Sequence, residues 1–576
     1  MTSAAPAPPS STPPPWPHCG HGATPADPVG CRGIHVGGHT ACLAHLNETD
    51  RTAYLATLSP GTGIDHRGTP FTPELLDRLL TALRDPTTGK PHIGIARFDE
   101  VSFSGTAWFG GVSFSGPAGF SGASFSGPAE FVRASFSDTA RFDEVSFSGT
   151  AWFDEVSFFG TALFGGASFF GIARFGGASF SGAALFGGAS FSGDTRFYGA
   201  RFEVASSLGP LVCGQRVVLD ATVFGQPVTM EIAARQVSCV RTRWASTATL
   251  HLRYAELDLR DAVFEYPVVV AARPDPFPLP FPGTGRSLPE TLLSGLEPGV
   301  RLASVGGVDA AHLALHDIDL SGCRFAGAVH LDQLRVDGWC TFAATPTGWS
   351  RRFPWRWSRR TTLAEEHHWR VRTARHPALA RGWTDPPPDA PALKPAAVAA
   401  LYRQVRKSLE DGKNEPDAAD FYYGECEMRR HDATRPWGER ALLTLYWAVS
   451  GYGLRATRAL AWLGAAMTVT LAVMVLWGLP ADDPKPTTTG RQVAAGQEVV
   501  LTTDTPDPAN PTGPLTERVT TERFEKSLRV VINSVVFRSS GQDLTTTGTY
   551  TEMASRLAEP VLLGLAVLAV RSRVKR

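Results

Sequence analysis

The stretch ARFDEVSFSGTAWFGGVSFSGPAGFSGASF at residues 96–125 decides the fold, because it repeats one short unit without interruption. In every unit a phenylalanine stands two residues after a small residue, which is Ala or Val everywhere except at Thr195. The steps between successive phenylalanines alternate between five and six residues over twenty units. The ladder consists of Phe98, Phe103, Phe109, Phe114, Phe120, Phe125, Phe131, Phe136, Phe142, Phe147, Phe153, Phe158, Phe164, Phe169, Phe175, Phe180, Phe186, Phe191, Phe197 and Phe202.

Neither a regular helix nor a plain strand accounts for this spacing. Apolar residues on one face of a helix recur every three or four positions, and those on one face of a strand recur every two. A small residue and a phenylalanine two positions apart share one face of a short extended segment, and Gly or Asp-Glu pairs then supply a turn. The repetition predicts a β-solenoid whose coils stack about 4.8 Å apart, with phenylalanine rings along its axis.

The units ARFDE, VSFSG, TAWFGG and VSFSG resemble the pentapeptide repeat, in which a small residue, any residue, Leu or Phe and two further residues recur. The resemblance covers residues 96–204 and implies a right-handed quadrilateral β-helix with one repeat on each side. Because every second unit has six residues, one coil takes 22 residues and the twenty units make five coils. We expect the extra residue to bulge outward at a corner.

The whole chain is predicted to be mainly β, with a small N-terminal Cys/His module and an α-helical C-terminal part. The Pro-rich insertion PDPFPLPFPGTG is expected to be an excursion loop. In chain order we predict a Pro-rich disordered tail (1–18), a Cys/His module with short helices (19–95), the regular β-helix (96–204), its irregular continuation (205–345), a linker (346–394), a helical hairpin with a juxtamembrane helix (395–458), a first transmembrane helix (459–479), an extracytoplasmic loop with a pore-helix-like segment (480–556), a second transmembrane helix (557–570) and a basic cytoplasmic tail (571–576).

The first predicted membrane helix, 459–479, is a run of 21 apolar or small residues without charge, which is long enough to cross a bilayer. Arg455 and Arg458 precede it, and Asp482 and Asp483 follow. Since positively charged flanks stay in the cytoplasm, the part of the chain before this helix is expected to be cytoplasmic.

The second apolar run, LAEPVLLGLAVLAV at 557–570, has only 14 residues and contains Glu559 and Pro560. Its basic continuation RSRVKR nevertheless indicates a cytoplasmic C-terminus. We therefore predict a multi-pass protein of the cell membrane with two crossings, the bulk of the chain being cytoplasmic and the lipid bilayer one of its partners.

Three C-terminal stretches also resemble bacterial membrane proteins that couple pentapeptide repeats to a membrane segment: YRQVRKSLEDGKNEPDAADFYYGECEMRR, GYGLRATRALAWL and LAVRSRVKR. Some of those relatives carry a two-helix ion-channel pore. SLRVVINSVVF at 527–537 is similar to a pore helix, whereas the following RSSGQDL does not resemble a T-V-G-Y-G filter. An ion-channel-like or transport-related protein with a cytoplasmic sensor is the alternative function that this resemblance implies.

The most plausible metal ligands are Cys19, Cys31, Cys42 and His45, spaced C-x11-C-x10-C-x2-H. Zinc takes four nitrogen or sulfur ligands in a tetrahedron, and a C-x2-H turn supplies two of them. Reduced cysteines without metal are the alternative interpretation. The remaining cysteines are isolated, so a disulfide framework is not expected and a reducing compartment fits the pattern. Zinc is the one cofactor that the sequence suggests.

No motif of catalysis stands out, and the leading hypothesis is a non-enzymatic scaffold for protein–protein interaction, since solenoids generally work through extended surfaces. Lys+Arg and Asp+Glu both total 55, which gives no signal for nucleic-acid binding. Mimicry of DNA toward topoisomerases, known for some pentapeptide proteins, needs a continuous acidic column. Residues 96–204 hold ten acidic residues, in separated pairs, against six arginines, and this pattern disfavours mimicry.

Large apolar residues at outward positions mark a predicted interaction surface for an unknown partner, a second copy or the 395–450 segment. Outward positions next to a ladder phenylalanine carry mostly Ser, Gly or charge. The exceptions are Trp108, Trp152, Phe159, Leu163, Phe170 and Leu185. A group of large apolar side chains on such a surface is unexpected unless something covers it, so we expect the 152–185 region to carry the interaction.

Overall fold

The computed structural model describes residues 12–204, 206–279, 286–346, 359–481, 485–491, 493–494, 496, 498–536 and 538–574. The chain forms two compact units, one of Met1–Leu393 with Lys407–Gly412 and one of Lys394–Arg406 with Lys413–Arg576. The first unit contains the solenoid and both of its ends.

The solenoid begins one coil earlier than the predicted start at residue 96. Strands Ile64–Asp65, Pro70–Phe71 and His92–Ile93 pair in parallel with the first regular coil. Helix α1 (Glu48–Ala56) precedes this coil, and helix α2 (Pro73–Ala82) interrupts it. Thr72 caps α2 by accepting a hydrogen bond from the Leu75 amide at 3.3 Å, as Ser and Thr do at helix starts. The inserted helix breaks the 22-residue spacing, which is why the pattern begins later in the sequence.

His66 holds the ladder position of this first coil, directly below Phe98. Its neighbours Ile64 and Asp65 pair with Ala96 and Arg97, and its ring contacts Phe98 and Phe71. The side chain is 1% exposed, and burial lowers the pKa of His66 to about 4, because an apolar environment disfavours the charged form. A neutral histidine therefore ends the aromatic column.

The regular coils have four sides, each a ladder of two-residue parallel strands. Side 1 contains Ala96–Arg97, Ala118–Gly119, Ala140–Arg141, Ala162–Leu163 and Ala184–Leu185, and side 2 contains Ser102–Phe103, Ser124–Phe125, Ser146–Phe147, Ser168–Phe169 and Ser190–Phe191. Side 3 contains Ala107–Trp108, Ala129–Glu130, Ala151–Trp152, Ala173–Arg174 and Thr195–Arg196, and side 4 contains Ser113–Phe114, Ser135–Phe136, Ser157–Phe158, Ser179–Phe180 and Arg201–Phe202. Residues 22 apart are paired, as Ala129 with Ala151 and Phe136 with Phe158. The predicted β-solenoid is confirmed.

All twenty ladder phenylalanines are buried, each at most 3% exposed. On every side, rings one coil apart stack with centroids 4.6–5.3 Å apart. Across the axis, the rings of sides 1 and 3 meet edge to face, as Phe142 and Phe153 do at 5.4 Å. Both arrangements are favourable for aromatic pairs, so the core is four aromatic columns rather than a mixed apolar interior.

The corners are of two kinds. Five-residue corners, from side 1 to 2 and from side 3 to 4, are tight turns closed by a hydrogen bond, as from the Ala167 amide to the Phe164 carbonyl at 3.2 Å. Six-residue corners stack directly on the preceding coil, as where the Ser148 amide donates to the Phe125 carbonyl at 2.8 Å. A Cβ added to Gly149 would lie 2.7 Å from the Gly127 oxygen. The glycine at this corner therefore lies directly against the preceding coil, and the outward bulge of the extra residue stays a prediction.

After residue 205 the strands lengthen and the coils shorten. One strand, Ser206–Val218, runs along sides 1, 2 and 3. The later strands are Val223–Phe224, Val228–Ser238, Arg243–Trp244, Ala248–Arg253, Glu256–Asp258, Val263–Phe264, Val268–Ala272, Arg301–Ser304, Leu313–His316 and Arg335–Asp337. From Val223 the register between coils is 20 residues, as Val223 to Arg243 and Arg243 to Val263, which corresponds to four five-residue sides.

The described part of the Pro-rich insertion leaves the coil as a loop, and this loop packs on the solenoid. Phe277, Leu288 and Leu293 are buried against Val212 and Ala233. A buried ion pair adds to this contact, since the Arg253 Nε lies 2.7 Å from the Glu290 carboxylate. Apolar anchors therefore hold both ends of the insertion against side 2.

The described residues of the predicted linker 346–394 form the C-terminal end of the solenoid. Strands Ala343–Ala344 and Thr361–Thr362 pair antiparallel, and helices α3 (Ala364–Thr373) and α4 (Pro377–Ala380) follow. The buried Glu365 carboxylate accepts hydrogen bonds from the amides of Phe325 and Ala326. A charged side chain thus ends the coil where another repeat would otherwise pair. The linker residues Trp355 and Trp357 lie outside the described residues.

Helices α5 (Pro395–Asp411) and α6 (Glu415–His431) form the predicted hairpin, and α7 (Trp437–Ser450) is the helix that follows it. Helix α8 (Ala456–Val473) continues as a π-helix to Gly478. Strands Thr487–Gly490 and Leu501–Asp504 pair antiparallel in the segment that follows.

The second apolar helix is longer than predicted. Residues 527–535 of the pore-helix-like segment lie in helix α9 (Thr521–Val535), and α10 runs over Thr546–Val574. The expected 14-residue span was wrong because polar residues before residue 557 are also helical and bury their side chains, as where Ser555 donates to Ser534 at 2.9 Å. Two helical stretches, Ala456–Gly478 and Thr546–Arg571, are long and apolar enough to span a membrane.

Candidate metal centre

Three short loops at the N-terminus bring Cys19, Cys31, Cys42 and His45 together. Cys19 and Cys31 lie on a pair of extended loops, because the Cys19 amide donates to the Gly33 carbonyl at 2.9 Å and the Gly20 amide to the Cys31 carbonyl at 2.8 Å. Cys42 and His45 share one turn, closed by a bond from the His45 amide to the Cys42 carbonyl at 2.9 Å. The loops therefore present four ligating side chains to one point.

The distances between the ligand atoms fit a tetrahedral ion. The Cys31 and Cys42 sulfurs are 3.7 Å apart, and the His45 Nδ1 lies 3.5 Å from the Cys19 sulfur and 3.3 Å from that of Cys42. All four ligand atoms lie within 4.8 Å of one another. A zinc ion with Zn–S bonds of about 2.3 Å places two tetrahedral sulfur ligands about 3.8 Å apart. The cluster can therefore hold a metal without rearrangement of its backbone.

A disulfide between Cys31 and Cys42 does not describe this geometry, because bonded sulfurs lie about 2.05 Å apart and all three cysteines are free. The hydrogen bond from the Cys42 thiol lowers the pKa of Cys31 to about 5, and the same bond raises the pKa of Cys42. The lowered pKa favours the thiolate form of Cys31. Metal ligation requires the thiolate form.

The surroundings of the cluster support the same chemistry. The Gly33 amide donates to the Cys31 sulfur at 3.4 Å, and a Cβ on Gly33 would lie 2.6 Å from that of Cys42. Only glycine lets the two loops approach this closely. The His21 ring stacks on His45 with centroids 4.1 Å apart, while His39 faces Asp50 at 3.6 Å.

The cluster is attached to the first coil of the solenoid. The Ile34 amide donates to the Arg67 carbonyl at 2.9 Å, and the Arg67 guanidinium lies 4.8 Å above the Trp16 ring. Trp16 in turn donates to the Arg32 carbonyl at 2.9 Å. The module therefore covers the N-terminal edge of the ladder, where unpaired strands would otherwise be open to pairing with another chain.

The predicted interaction residues separate into two clusters on opposite sides. Leu163 and Leu185 are neighbours on side 1, with Phe159 at the adjoining six-residue corner and 60% exposed. We refer to these three as the side-1 cluster. The remaining predicted residues lie on or next to side 3, so the 152–185 region has two separate surfaces rather than one.

The second cluster, called the side-3 cluster, comprises Trp108, Trp152 and Phe170. Trp108 is 56% and Phe170 51% exposed. Glu130 separates the two tryptophans in the ladder, and the Arg174 guanidinium lies 4.3 Å above the Trp152 ring. The Arg174 side chain therefore covers part of Trp152. The 22-residue spacing between these two residues predicts this contact.

With the repeat geometry established, the family comparison is direct. The family model described as "Pentapeptide repeats (9 copies)" matches residues 120–168 and 164–209. The chain carries pentapeptide repeats. No curated protein matches the chain, and no solved structure matches it either. The pentapeptide-repeat match includes neither the cluster of Cys19, Cys31, Cys42 and His45 nor the C-terminal helices.

Proposed function

We propose that this chain is a non-catalytic scaffold that α8 and α10 hold in the cell membrane, with its pentapeptide-repeat solenoid in the cytoplasm for a protein partner. The main support is that each coil uses its inward positions for stacked phenylalanines and leaves short outward side chains, mostly Ser on sides 2 and 4. A rod of this kind has a fixed, extended surface, which is how repeat proteins generally bind.

The acidic residues of the coils are used within the fold, which argues against mimicry of DNA. The carboxylates of Asp99, Asp143 and Asp154 accept hydrogen bonds from the amides of the next coil, at Ser121, Gly165 and Gly176. Asp99 and Asp143 lie two coils apart, and Asp154 lies on the opposite side of the coil from Asp143, so these carboxylates do not form a continuous charged column.

Membrane anchoring with cytoplasmic termini is supported by the basic flanks of the two spans. We expect a cysteine at position 505 to be labelled by an impermeant maleimide in intact cells, and one at position 575 only after permeabilisation. Labelling of position 575 from outside would show that the chain crosses the membrane once or three times. Extraction by carbonate would refute anchoring altogether.

The side-1 and side-3 clusters are the proposed contacts for the partner. We expect Phe159→Ser with Leu163→Ser and Leu185→Ser, or Trp152→Ser with Phe170→Ser, to reduce capture of a specific partner from detergent-solubilised membranes at least tenfold. A matched variant, Ser135→Ala with Ser157→Ala on side 4, should capture the parent amount. Undiminished capture by both cluster variants would place the binding surface elsewhere.

We further propose that the N-terminal cluster binds one zinc ion as a structural site. The zinc would be held by the sulfurs of Cys19, Cys31 and Cys42 and by the Nδ1 of His45, a ligand set typical of closed structural sites. Its role would be to fix the module that covers the first coil.

Elemental analysis of the purified full-length chain should give about one zinc per chain. Cys31→Ser should remove it and lower the melting temperature, whereas Cys340→Ser, a half-buried cysteine away from the cluster, should retain it. A metal-free chain whose melting temperature is unchanged by added zinc would refute the site.

A further inference from the structure

Helix α7 has one face without charge that is exposed to its surroundings. Trp437 is 83%, Leu442 66% and Leu445 61% exposed. At 100° per residue, these side chains fall on one continuous arc of the helix. The other exposed residues of the helix complete the same arc, namely Gly438, Ala441 and Thr444. An ordinary surface helix places charged residues on such a face.

The charged residues of α7 lie on its protein side instead. Leu443, Tyr446 and Trp447 pack against the cluster around Tyr423 and Cys426 of α6. On the same side, Glu439 forms ion pairs with Arg429 at 3.0 Å and with Arg435. Apolar residues of α7 thus pack against α6 together with the partly buried Glu439, while the exposed arc contains no charged residue.

The turn after α7 fixes its orientation relative to α8. Gly451 has φ of 56°, and Tyr452 is buried with its hydroxyl donating to Glu427 at 2.9 Å. The Arg458 guanidinium donates to the Trp447 carbonyl at 2.6 Å, and the Trp462 indole donates to the Ala448 carbonyl at 3.1 Å. The end of α7 is therefore held against the first two turns of a helix long enough to span a membrane.

The apolar surface continues from α7 onto α8. Leu460 and Val469 of α8 are 49% and 62% exposed, as expected of side chains that contact lipid in a spanning helix. Five residues separate Ser450 at the end of α7 from Ala456 at the start of α8, so the end of α7 lies next to the first turn of α8.

From this continuity we propose that α7 is an interfacial helix, lying on the cytoplasmic membrane surface with Trp437, Leu442 and Leu445 in the headgroup and upper acyl region. Amphipathic helices with Trp and Leu on the apolar face bind bilayers in this manner. The proposal rests on the membrane anchoring proposed above and adds a second, surface-bound element to it. The partner is the lipid surface itself, not another protein.

Spin labels on the full-length chain in liposomes test this orientation. p-Acetylphenylalanine is introduced singly at positions 442, 445, 469 and 413, and a hydroxylamine nitroxide is attached to its ketone, so the native cysteines stay unlabelled. Oxygen partitions into lipid and a neutral nickel chelate into water. We expect nitroxides at 442 and 445 to relax at least threefold more with oxygen than with nickel, as at 469, and the ratio to reverse at the exposed loop position 413.

Each other outcome contradicts the proposal in a distinguishable way. Nickel access at 442 and 445 with oxygen access at 469 would leave the membrane anchor standing and place α7 in water. Protection of 442 and 445 from both reagents would show that protein, either another part of this chain or a second copy, covers the face. Nickel access at 469 would refute the membrane anchor and, with it, the interfacial position of α7.

Discussion

The five-residue and six-residue corners of the solenoid contain glycine for different physical reasons. At a five-residue corner Gly166 has φ of 64°, and an added Cβ would meet only the Glu144 Cγ at 3.6 Å. At a six-residue corner Gly149 needs no positive φ, but a Cβ there would lie 2.6 Å from the Gly127 carbonyl carbon. One corner selects glycine for its backbone conformation and the other for its lack of volume, although the pair Ser-Gly occurs at both, as at 121–122 and 148–149.

The largest loss of stability is expected for a substitution in the phenylalanine ladder, which lies inside both kinds of corner. Phe153 is fully buried and stacks on Phe131 and Phe175 at 4.9 and 5.0 Å. Phe153→Ala should destabilise the solenoid by about 3–5 kcal/mol, because the aromatic column leaves no side chain that can fill the cavity. Thermal unfolding of the full-length chain in detergent, followed by circular dichroism, measures the change.

The control for this substitution is Ser157→Ala, an outward position on side 4 of the same coil. It should change the melting temperature by less than a fifth of the shift caused by Phe153→Ala. Equal shifts for the two variants would contradict a core made of the ladder alone.

Next in size is a substitution at the crowded corner. Gly149→Ala places a methyl group against the carbonyl of Gly127, so the coil must move to admit it, at a cost of about 1–3 kcal/mol. The corresponding column at the other six-residue corner contains Asp138, which shows that a coil can adjust to a Cβ and keeps the expected cost below that of Phe153→Ala. A melting temperature equal to the parent's would show that the stacked corner accommodates a methyl group without strain.

Sequence reasoning gave the solenoid, its four columns and the 22-residue coil because the phenylalanine spacing is strictly periodic. It also grouped Cys19, Cys31, Cys42 and His45, although the loops between them have no repeat. The C-x2-H turn was the only local signal there. What joined the distant Cys19 and Cys31 was backbone pairing through Gly33, for which the sequence has no marker.

The sequence could not reveal elements whose signal is interrupted or hidden. His66 occupies a ladder position, yet α2 separates its coil from the regular repeats and a histidine replaces the phenylalanine. The true length of α10 was also missed, since Ser555 and Glu559 are polar residues that are buried only because neighbouring helices supply partners, as Thr470 does for Glu559 at 2.9 Å. Hydropathy along one segment does not contain that information.

A smaller effect is expected at the five-residue corner that has glycine. Gly166→Ala meets open space but forces alanine into the left-handed region, which costs about 1–2 kcal/mol. The comparison becomes sharper with a second substitution, Gly166→Asn, because asparagine tolerates this conformation better than alanine. If alanine and asparagine destabilise equally, the corner is limited by space after all, and the two kinds of corner do not differ in the way described.

The smallest effect, and the only gain, is expected at a five-residue corner without glycine. Glu144 has φ of 57° and an exposed side chain, so Glu144→Gly relieves about 1–2 kcal/mol of backbone strain. The greater conformational entropy of glycine in the unfolded chain reduces this gain by about 0.5–1 kcal/mol. The net stabilisation is then about 0.5–1 kcal/mol, and the melting temperature should rise slightly. Glu155→Gly is the matched control: its φ is 56°, but it also loses an exposed ion pair with Arg133 at 2.7 Å and should therefore gain less. A fall in melting temperature for Glu144→Gly would mean that the acidic corner stabilises the coil through its side chain, and that conformation alone does not explain which corners contain glycine.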